Sequence, residues 1–227
     1  MIFQIAIDGP SGVGKSSTAR KLAERLNFQY INTGLFFRGL AFVYQQERKK
    51  NPQISVDQMM LKLKKNRSFQ AINNEIFYHK KKINAHLIEP TITKLSSLLS
   101  QNSNVRDYVL SLEREIASKN NVVMEGRDIG TIVLPKAILK IFLTASVEIR
   151  AQRRYEELNK INHGSALDLE IIKQKIINRD LADQTRNLAP LIKAKDAIEI
   201  VSDHLNLEAV ILKIEQLFLE RIKNLDL

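Results

Sequence analysis

The sequence predicts an α/β fold in which helices cover both faces of a parallel five-stranded sheet. Short apolar runs typical of buried strands alternate along the chain with longer segments whose apolar residues recur every three or four positions. The first of these strands, residues 3–8, runs directly into a glycine-rich turn and then a helix. Alternating strands and helices favour a parallel sheet, because parallel neighbours need a crossover between them.

The individual elements follow from the same patterns. Apolar residues at positions 19, 22, 23 and 26 predict a helix from Ser16 onward. A strand over 28–31 and a helix over 34–48 come next, with Leu35, Phe42 and Val43 expected toward the core. The later predictions are a helix over 56–63, a hairpin over 68–83, a helical region over 85–118 broken near 102–104, strands over 121–124, 138–143 and 197–201, and helices over 147–158, 169–182 and 207–222.

Composition excludes several kinds of site. The 227 residues include no cysteine, so disulfides, thiolate metal sites and cysteine nucleophiles are ruled out. The four histidines are scattered, and no metal cage is expected from them. The first residues lack the charged segment of a secretion signal and no apolar run is long enough to span a bilayer, so we expect a cytoplasmic protein without a membrane partner.

The charge of the chain indicates an anionic partner. Lysine and arginine outnumber aspartate and glutamate to give a net charge of +10. Clustered basic residues bind phosphate, whether it belongs to a nucleic acid or to a free nucleotide. Net charge therefore does not choose between these two classes.

One motif carries the strongest functional signal. After the first strand the chain reads Gly9-Pro10-Ser11-Gly12-Val13-Gly14-Lys15-Ser16, which matches the phosphate-binding loop pattern G-x-x-x-x-G-K-[ST] at every position. Backbone N–H groups and the helix N-terminus then point at one anion site. Lys15 would reach the β- and γ-phosphates, and the Ser16 hydroxyl would bind Mg²⁺. The motif alone leaves kinases, GTPases, ATP-driven machines and non-catalytic binders open.

Arginines favour a kinase among these classes. An enzyme that joins a phosphoryl donor to a phosphorylated acceptor needs several guanidinium groups, because each holds two oxygens and keeps its charge. Arg127 follows a predicted central strand, at the edge where parallel sheets place ligands. The other candidates are Arg38 in the second helix, Arg150, Arg153 and Arg154 on one later helix, and Arg179 and Arg186 on the next, seven apart and so on one face.

A longer set of motifs resembles the bacterial cytidylate kinase family. In order, they are Ile7-Asp8-Gly9-Pro10-Ser11-Gly12, Asn32-Thr33-Gly34 with Arg38, Glu125-Gly126-Arg127-Asp128-Ile129-Gly130-Thr131, Arg179-Asp180 through Asp183 and Arg186 to Ala189-Pro190-Leu191, and Ala194 with Asp196-Ala197. The match spans nearly the whole chain. Asn32 and Phe37 depart from the family pattern, which usually has Asp and Tyr there, and Val201-Ser202-Asp203 replaces its common ending.

The resemblance implies an enzyme that uses Mg²⁺ and transfers the γ-phosphoryl group of ATP to CMP or dCMP. It implies that Arg38, Arg127 and Arg186 hold the acceptor phosphate, that Arg179 lies near the transferring group, and that Asp183 hydrogen-bonds the sugar. Thr33 would lie in the acceptor pocket, and Ser97, Arg106 and Asp128 would read cytosine. Lys15, Arg127, Arg179 and Arg186 are thus the expected catalytic residues, and Gly9, Pro10, Ser11, Gly12, Val13, Gly14, Lys15, Ser16, Ser17 and Arg154 the expected ATP site.

We expect a monomer built as one P-loop kinase chain. Its core would comprise residues 1–33, 84–150 and 187–227, with an acceptor-binding insert over 34–83 and a lid region over 151–186 that includes the loop 159–165. Three alternatives remain at this point. They are a kinase of another small acceptor such as UMP, dTMP or shikimate, a basic P-loop protein that binds nucleic acid, and a P-loop protein that binds nucleotide without turnover.

Overall fold

The computed structural model describes residues 1–161 and 168–225. In chain order the elements are β1 (Gln4–Asp8), α1 (Lys15–Leu26), β2 (Gln29–Asn32), α2 (Thr33–Lys50), α3 (Val56–Asn66), β3 (Phe69–Ile72), β4 (Glu75–Tyr78), β5 (Lys81–Lys82), α4 (Pro90–Leu99), α5 (Ser103–Ala117), β6 (Val122–Gly126), β7 (Leu139–Thr144), α6 (Val147–Ile161), α7 (Leu169–Thr185), β8 (Ile198–Val201) and α8 (Leu207–Lys223). A 3₁₀ helix over Asn84–Ile88 precedes α4, and a π-helical turn over Ile129–Val133 follows β6. Two compact units result, Met1–Gln29 with Asn121–Leu227 and Tyr30–Asn120.

The main sheet has five strands in the order β2-β6-β1-β7-β8. Strand β1 pairs in parallel with β6 on one side and β7 on the other, and β7 pairs in parallel with β8. The central strands β1 and β6 are apolar and almost wholly buried, as expected for a parallel sheet covered by helices. The carboxyl ends of β1 and β6 are in register, with Asp8 beside Gly126. The glycine-rich turn after β1 and the segment after β6 are therefore brought close together.

Helix α1 forms where the glycine-rich turn ends. Its N-cap is Gly14 and its buried stripe is Thr18, Ala19, Leu22 and Ala23, the spacing of one helix face. Asn27 ends the helix in a left-handed conformation, and its N–H bonds back to the carbonyls of Ala23 and Glu24. The helix therefore begins inside the phosphate-binding motif, with its N-terminal end at the carboxyl end of β1.

The unit Tyr30–Asn120 contains a small antiparallel sheet in the order β3-β4-β5. The turn between β3 and β4 holds Asn73 and Asn74, both with positive φ, as the Asn-Asn pair predicts. Asn74 also anchors the start of α2, because its side-chain oxygen accepts from the Asn32 N–H at 2.8 Å and its amide donates to the Tyr30 carbonyl at 2.6 Å.

The structure confirms the predicted fold class and corrects details. The hairpin over 68–83 carries a third short strand, β5, and the π-helical turn was not predicted. Phe36 and Leu40 are fully buried on α2, whereas Leu35 and Phe42 are only partly buried. Arg186 caps α7 rather than lying on it, since its backbone is extended. The division into core, insert and lid assigns segments by role and stays a prediction.

Candidate active site

The phosphate-binding motif forms a loop between β1 and α1 in the unit Met1–Gln29 with Asn121–Leu227. Gly9 is pressed against β7, because a Cβ placed on it would lie 2.0 Å from the Leu143 carbonyl oxygen. Gly14 has a φ of 97° and caps α1, a left-handed conformation that glycine adopts without strain. The Thr18 N–H donates to the Gly14 carbonyl at 3.0 Å and closes the first helical turn.

Lys15 is a buried cation at the base of this loop. Only 5% of the residue is exposed, and its Nζ donates to the Pro10 carbonyl at 2.7 Å. Burial lowers the pKa of Lys15 to about 7, and the nearby positive charges of Arg127 and Arg179 add to the effect while Glu125 opposes it. Lys15 and these two arginines, all predicted catalytic residues, are therefore close enough to act on one another electrostatically.

Ser16 and Glu125 form a polar pair beside Lys15. The Ser16 hydroxyl donates to the Glu125 carboxylate at 2.7 Å, and Glu125 is buried in strand β6. No group of three or more acidic, histidine or cysteine side chains that could hold a metal ion occurs within residues 1–161 and 168–225. A hydroxyl and a carboxylate are nevertheless the hard oxygen donors that Mg²⁺ takes from a protein when phosphates supply further ligands.

Asp8 organises the segment after β6. Its carboxylate accepts from the Ile129 N–H at 2.9 Å and from the Gly130 N–H at 2.7 Å. Burial raises the pKa of Asp8 to about 6 even though these two N–H groups favour the charged form. The π-helical turn over Ile129–Val133 is thus held against the end of β1, which fixes the position of the preceding Arg127 and Asp128.

Arg127, Asp128, Asp183 and Arg186 form a compact charged cluster. Arg127 donates from Nε to the Asp183 carboxylate at 2.7 Å. Arg186 lies 3.8 Å from Asp183 and 3.7 Å from Asp128, measured between guanidinium nitrogen and carboxylate oxygen, and its Nε donates to the Ala189 carbonyl at 2.6 Å. Burial alone would raise the pKa of Asp183, but Arg127, Arg179 and Arg186 together hold it below its usual value.

Comparison of the sequence with known proteins shows the family of this chain. The cytidylate kinase family matches residues 5–220 of the chain. The chain belongs to the cytidylate kinase family. A cytidylate kinase of Alkaliphilus oremlandii is 43% identical over 93% of this chain and 95% of its own length, and one from Mycoplasmoides gallisepticum is 42% identical over 96% and 94%.

Solved structures support the fold of this cytidylate kinase family member. An uncharacterised protein from Eubacterium ventriosum aligns with a TM-score of 0.54 at 15% identity, covering 96% of this chain and 98% of that one. A gluconokinase from Sinorhizobium meliloti aligns with a TM-score of 0.50 at 15% identity, covering 98% and 95%. At such low identity these likenesses concern the fold alone.

Four predicted acceptor-binding residues lie in the unit Tyr30–Asn120, on the helices α2, α4 and α5. Thr33 is buried at the start of α2, and Arg38, on the same helix, donates from Nε to the Gly34 carbonyl at 3.1 Å. Ser97 lies partly buried on α4, and Arg106 on α5 donates to the Ser100 carbonyl at 3.2 Å. The family departure Phe37 contacts this set, because the Arg106 guanidinium lies 5.7 Å from its ring centroid.

The three arginines of α6 have different partners. Arg154 has an exposed side chain paired with Glu157 at 2.6 Å, so its assignment to ATP stays a prediction. Arg153 donates to the Ser202 and Leu205 carbonyls, and Arg150 is buried beside Asp180. For the predicted lid loop 159–165, α6 continues to Ile161, and the remaining residues of that loop lie outside the described ranges.

The sequence motifs gave no role to Asp8, Glu125 or Asp180. In the structure Asp8 binds the turn after β6, and Glu125 and Asp180 bind residues of the phosphate-binding motif. The first two could have been found, since each ends a predicted central strand where parallel sheets gather ligands. Asp180 adjoins Arg179 in a quoted motif, yet its partners lie far away in the chain. No pattern of neighbouring residues in the sequence predicts that Asp180 pairs with Ser11 and Arg150.

Proposed function

We propose that this chain transfers the γ-phosphoryl group of ATP to CMP or dCMP, giving ADP with CDP or dCDP. The observation that carries the proposal is the meeting of the Lys15 loop with the Arg127, Asp183 and Arg186 cluster at one edge of the sheet, in a member of the cytidylate kinase family. This arrangement provides a site for the phosphates of the donor and a second site for the phosphate of the acceptor. The loop suits a triphosphate donor, and the arginines suit a monophosphate acceptor.

Catalysis in this proposal is positioning and charge neutralisation. Phosphoryl transfer spreads negative charge over the oxygens of the transferring group, and fixed cations stabilise that charge more in the transition state than in the substrate. Lys15, Arg127, Arg179 and Arg186 would supply these cations. A general base is not required, because an acceptor phosphate oxygen is already ionised near neutral pH.

Mg²⁺ fits the donor set at Ser16. The Ser16 hydroxyl would hold the ion, with the Glu125 carboxylate, 2.7 Å from that hydroxyl, oriented to support it. When bound, the ion would neutralise charge on the donor phosphates. The chain's own contribution is this hydrogen bond, which directs the Ser16 hydroxyl proton to Glu125 and leaves the lone pairs of the Ser16 oxygen for the ion.

Asp128 would distinguish cytosine from uracil. A carboxylate accepts a hydrogen bond from the exocyclic amine of cytosine, whereas uracil presents a carbonyl oxygen there. Two acceptors facing each other leave both unsatisfied and cost binding energy. Asp128 is nine-tenths buried and faces Arg186, which limits its side chain to few orientations.

Ser97 and Arg106 would complete the base site. Thr33 and Arg38 would bind the acceptor nearer its phosphate, and Asp183 would bind the sugar.

The surroundings of the reaction follow from this assignment. CMP and dCMP phosphorylation belongs to pyrimidine nucleotide metabolism, and we place the enzyme in the cytoplasm as a monomer that needs neither nucleic acid nor a membrane. None of the helices in the described part of the chain combines the length and apolarity needed to cross a bilayer.

Turnover with CMP, dCMP and UMP, measured side by side with MgATP, tests the proposal. We expect CMP and dCMP to be phosphorylated much faster than UMP at equal concentration. In Asp128→Asn the preference for CMP over UMP should shrink, because an amide can donate to the uracil carbonyl. Equal rates for CMP and UMP in the unaltered enzyme would overturn the cytosine-reading role, and turnover of none of the three would overturn the activity.

A further inference from the structure

We propose that Arg150 and Asp180 form a clamp that fixes the Ser11 peptide groups and so positions the phosphate-binding loop relative to helix α7. The Ser11 N–H donates to Oδ1 of Asp180 at 2.8 Å, and the Ser11 carbonyl accepts from Nη1 of Arg150 at 2.9 Å. The same Arg150 nitrogen pairs with the other Asp180 oxygen. Both backbone polar groups of Ser11 are thus held by one ion pair.

The clamp is buried and satisfied by protein groups. Arg150 is 5% and Asp180 7% exposed, and Nε of Arg150 also donates to the Ala145 carbonyl at 2.9 Å. An arginine at a phosphate-binding site usually contacts the phosphate, but Arg150 donates to the backbone carbonyl of Ser11 in the loop. A buried ion pair adds little net stability compared with apolar residues of similar size, so its value lies in the geometry it imposes.

A second loop residue, Gly12, lies close to the same two helices. A Cβ placed on Gly12 would lie 3.6 Å from the Arg150 carbonyl oxygen on α6 and 3.6 Å from the Ile176 side chain on α7. A methyl group at Gly12 would therefore be in ordinary van der Waals contact with both helices, which shows that the loop passes close to α6 and α7. The hydrogen bonds of Ser11 couple a movement of these helices to the loop.

Helix α7 carries the groups that the clamp would bring into register. Asp180 lies between Arg179, whose charge acts on Lys15, and Asp183, which holds Arg127. The clamp therefore joins the loop that would hold ATP to helix α7. That helix carries Arg179 and holds Arg127, the two arginines that would neutralise charge on the transferring phosphoryl group. This inference rests on the proposed function, because it assumes that Lys15 and Arg179 act on the same phosphoryl group.

The test replaces the clamp without leaving a buried charge unpaired. The double variant Arg150→Met with Asp180→Leu substitutes an apolar pair, a change that buried ion pairs often tolerate. The single variant Asp180→Asn keeps the size of the side chain and an oxygen for the Ser11 N–H. The matched control is Glu148→Gln with Lys173→Met, which removes a partly exposed 2.9 Å ion pair between the same two helices that makes no hydrogen bond to Ser11.

The measurements are melting temperature, kcat per folded molecule, the KM values for ATP and CMP, and the Kd for MgATP. We expect the double variant to fold and to lose about 10- to 100-fold in kcat, as small misplacements of reacting groups do. Its KM and Kd for ATP should rise, while KM for CMP changes little. Asp180→Asn should shift the same quantities in the same direction by less, and the control should match the unaltered enzyme.

Wild-type kcat and ATP affinity in a folded double variant, with only a lower melting temperature, would reduce the pair to a structural role and overturn the clamp. Should the double variant not fold, unchanged kcat and Kd in Asp180→Asn would overturn it equally. Failure of the proposed function has a separate signature. The unaltered enzyme would then phosphorylate neither CMP nor dCMP, and the Kd for MgATP would still judge the clamp.

Discussion

Arg127 and Asp183 form a buried pair, with the Arg127 Nε donating to the Asp183 carboxylate at 2.7 Å. The side chains are 17% and 12% exposed. Arg127 follows strand β6 and Asp183 lies near the end of α7, so the pair ties the sheet edge to the helix that carries Arg179. Burial alone would lower the pKa of Arg127, but Asp183 raises it above the usual value, and the guanidinium stays charged at any pH the enzyme meets.

Replacing Asp183 by Asn should impair acceptor use through Arg127. The amide cannot neutralise the guanidinium, and a hydrogen bond to a charged group contributes about 1.5–3 kcal/mol. We expect kcat/KM for CMP to fall roughly 10- to 100-fold at that energy, with KM for ATP changed less. Steady-state kinetics with each substrate varied in turn measures this.

The control for Asp183→Asn is Glu220→Gln, an exposed carboxylate on α8. It should behave as the unaltered enzyme. A kcat/KM for CMP in Asp183→Asn within twofold of the control would show that neither the pair nor the sugar contact matters to acceptor use.

ATP binding should take up a proton at Lys15. Its pKa of about 7 in the free protein lies well below the ordinary value, so much of the amine is neutral at about pH 8. A bound triphosphate favours the ammonium form and raises the pKa, and therefore affinity falls as pH increases above 7 while proton uptake grows. Calorimetric titration at about pH 8 in two buffers of different ionisation enthalpy measures the uptake.

The same titration at about pH 6 is the internal control, because Lys15 is then mostly protonated before ATP arrives. Lys15→Arg should abolish the buffer dependence at the higher pH, since a guanidinium does not titrate there. Equal binding enthalpies in the two buffers at about pH 8 would show that the amine is already charged in the free protein.

Two glycines of the phosphate-binding loop should respond differently to alanine. In Gly9→Ala the new Cβ would lie 2.0 Å from the Leu143 carbonyl oxygen, a backbone atom that cannot move without breaking the sheet. We expect a loss of more than about 4 kcal/mol, which leaves little folded protein. Gly14→Ala meets no atom within 4 Å, so only its φ of 97° opposes the change.

For Gly14→Ala the expected cost is about 1–2 kcal/mol, the strain of a left-handed conformation. Thermal and urea unfolding of the two variants measures both values. A Gly9→Ala protein as stable as Gly14→Ala would mean that the close approach to β7 is not required in solution.

Gly39 should be intolerant of alanine for a packing reason. It lies on α2, and a Cβ there would come within 2.7 Å of the Ile76 side chain and 2.8 Å of the Phe69 ring. Overpacking of this kind costs about 1–3 kcal/mol. Urea unfolding should show the loss, and Gly39→Ala with Ile76→Val should recover part of it because the clashing Cγ2 has more room to shift. A fully stable single variant would contradict the tight contact between α2 and β4.

Sequence and structure agree where a local pattern determines the result. The β1–loop–α1 unit, Lys15 and the position of Arg127 follow from spacing within a few residues, and the parallel sheet follows from alternation. The clamp could not be predicted in that way, because Arg150 and Ser11 are 139 positions apart. On α2 the expected burial of Val43 was confirmed, whereas Leu35 and Phe42 are only partly buried. The buried face of the helix also includes Phe36, Gly39 and Leu40.

The most direct measurement follows the label from γ-³²P-ATP in the presence of Mg²⁺ and CMP. Transfer from the Lys15 loop to an acceptor held by Arg127 and Arg186 predicts that labelled CDP forms, and that Lys15→Ala at the same protein concentration forms almost none. Label released only as inorganic phosphate, or labelled CDP formed equally well by Lys15→Ala, would contradict the account.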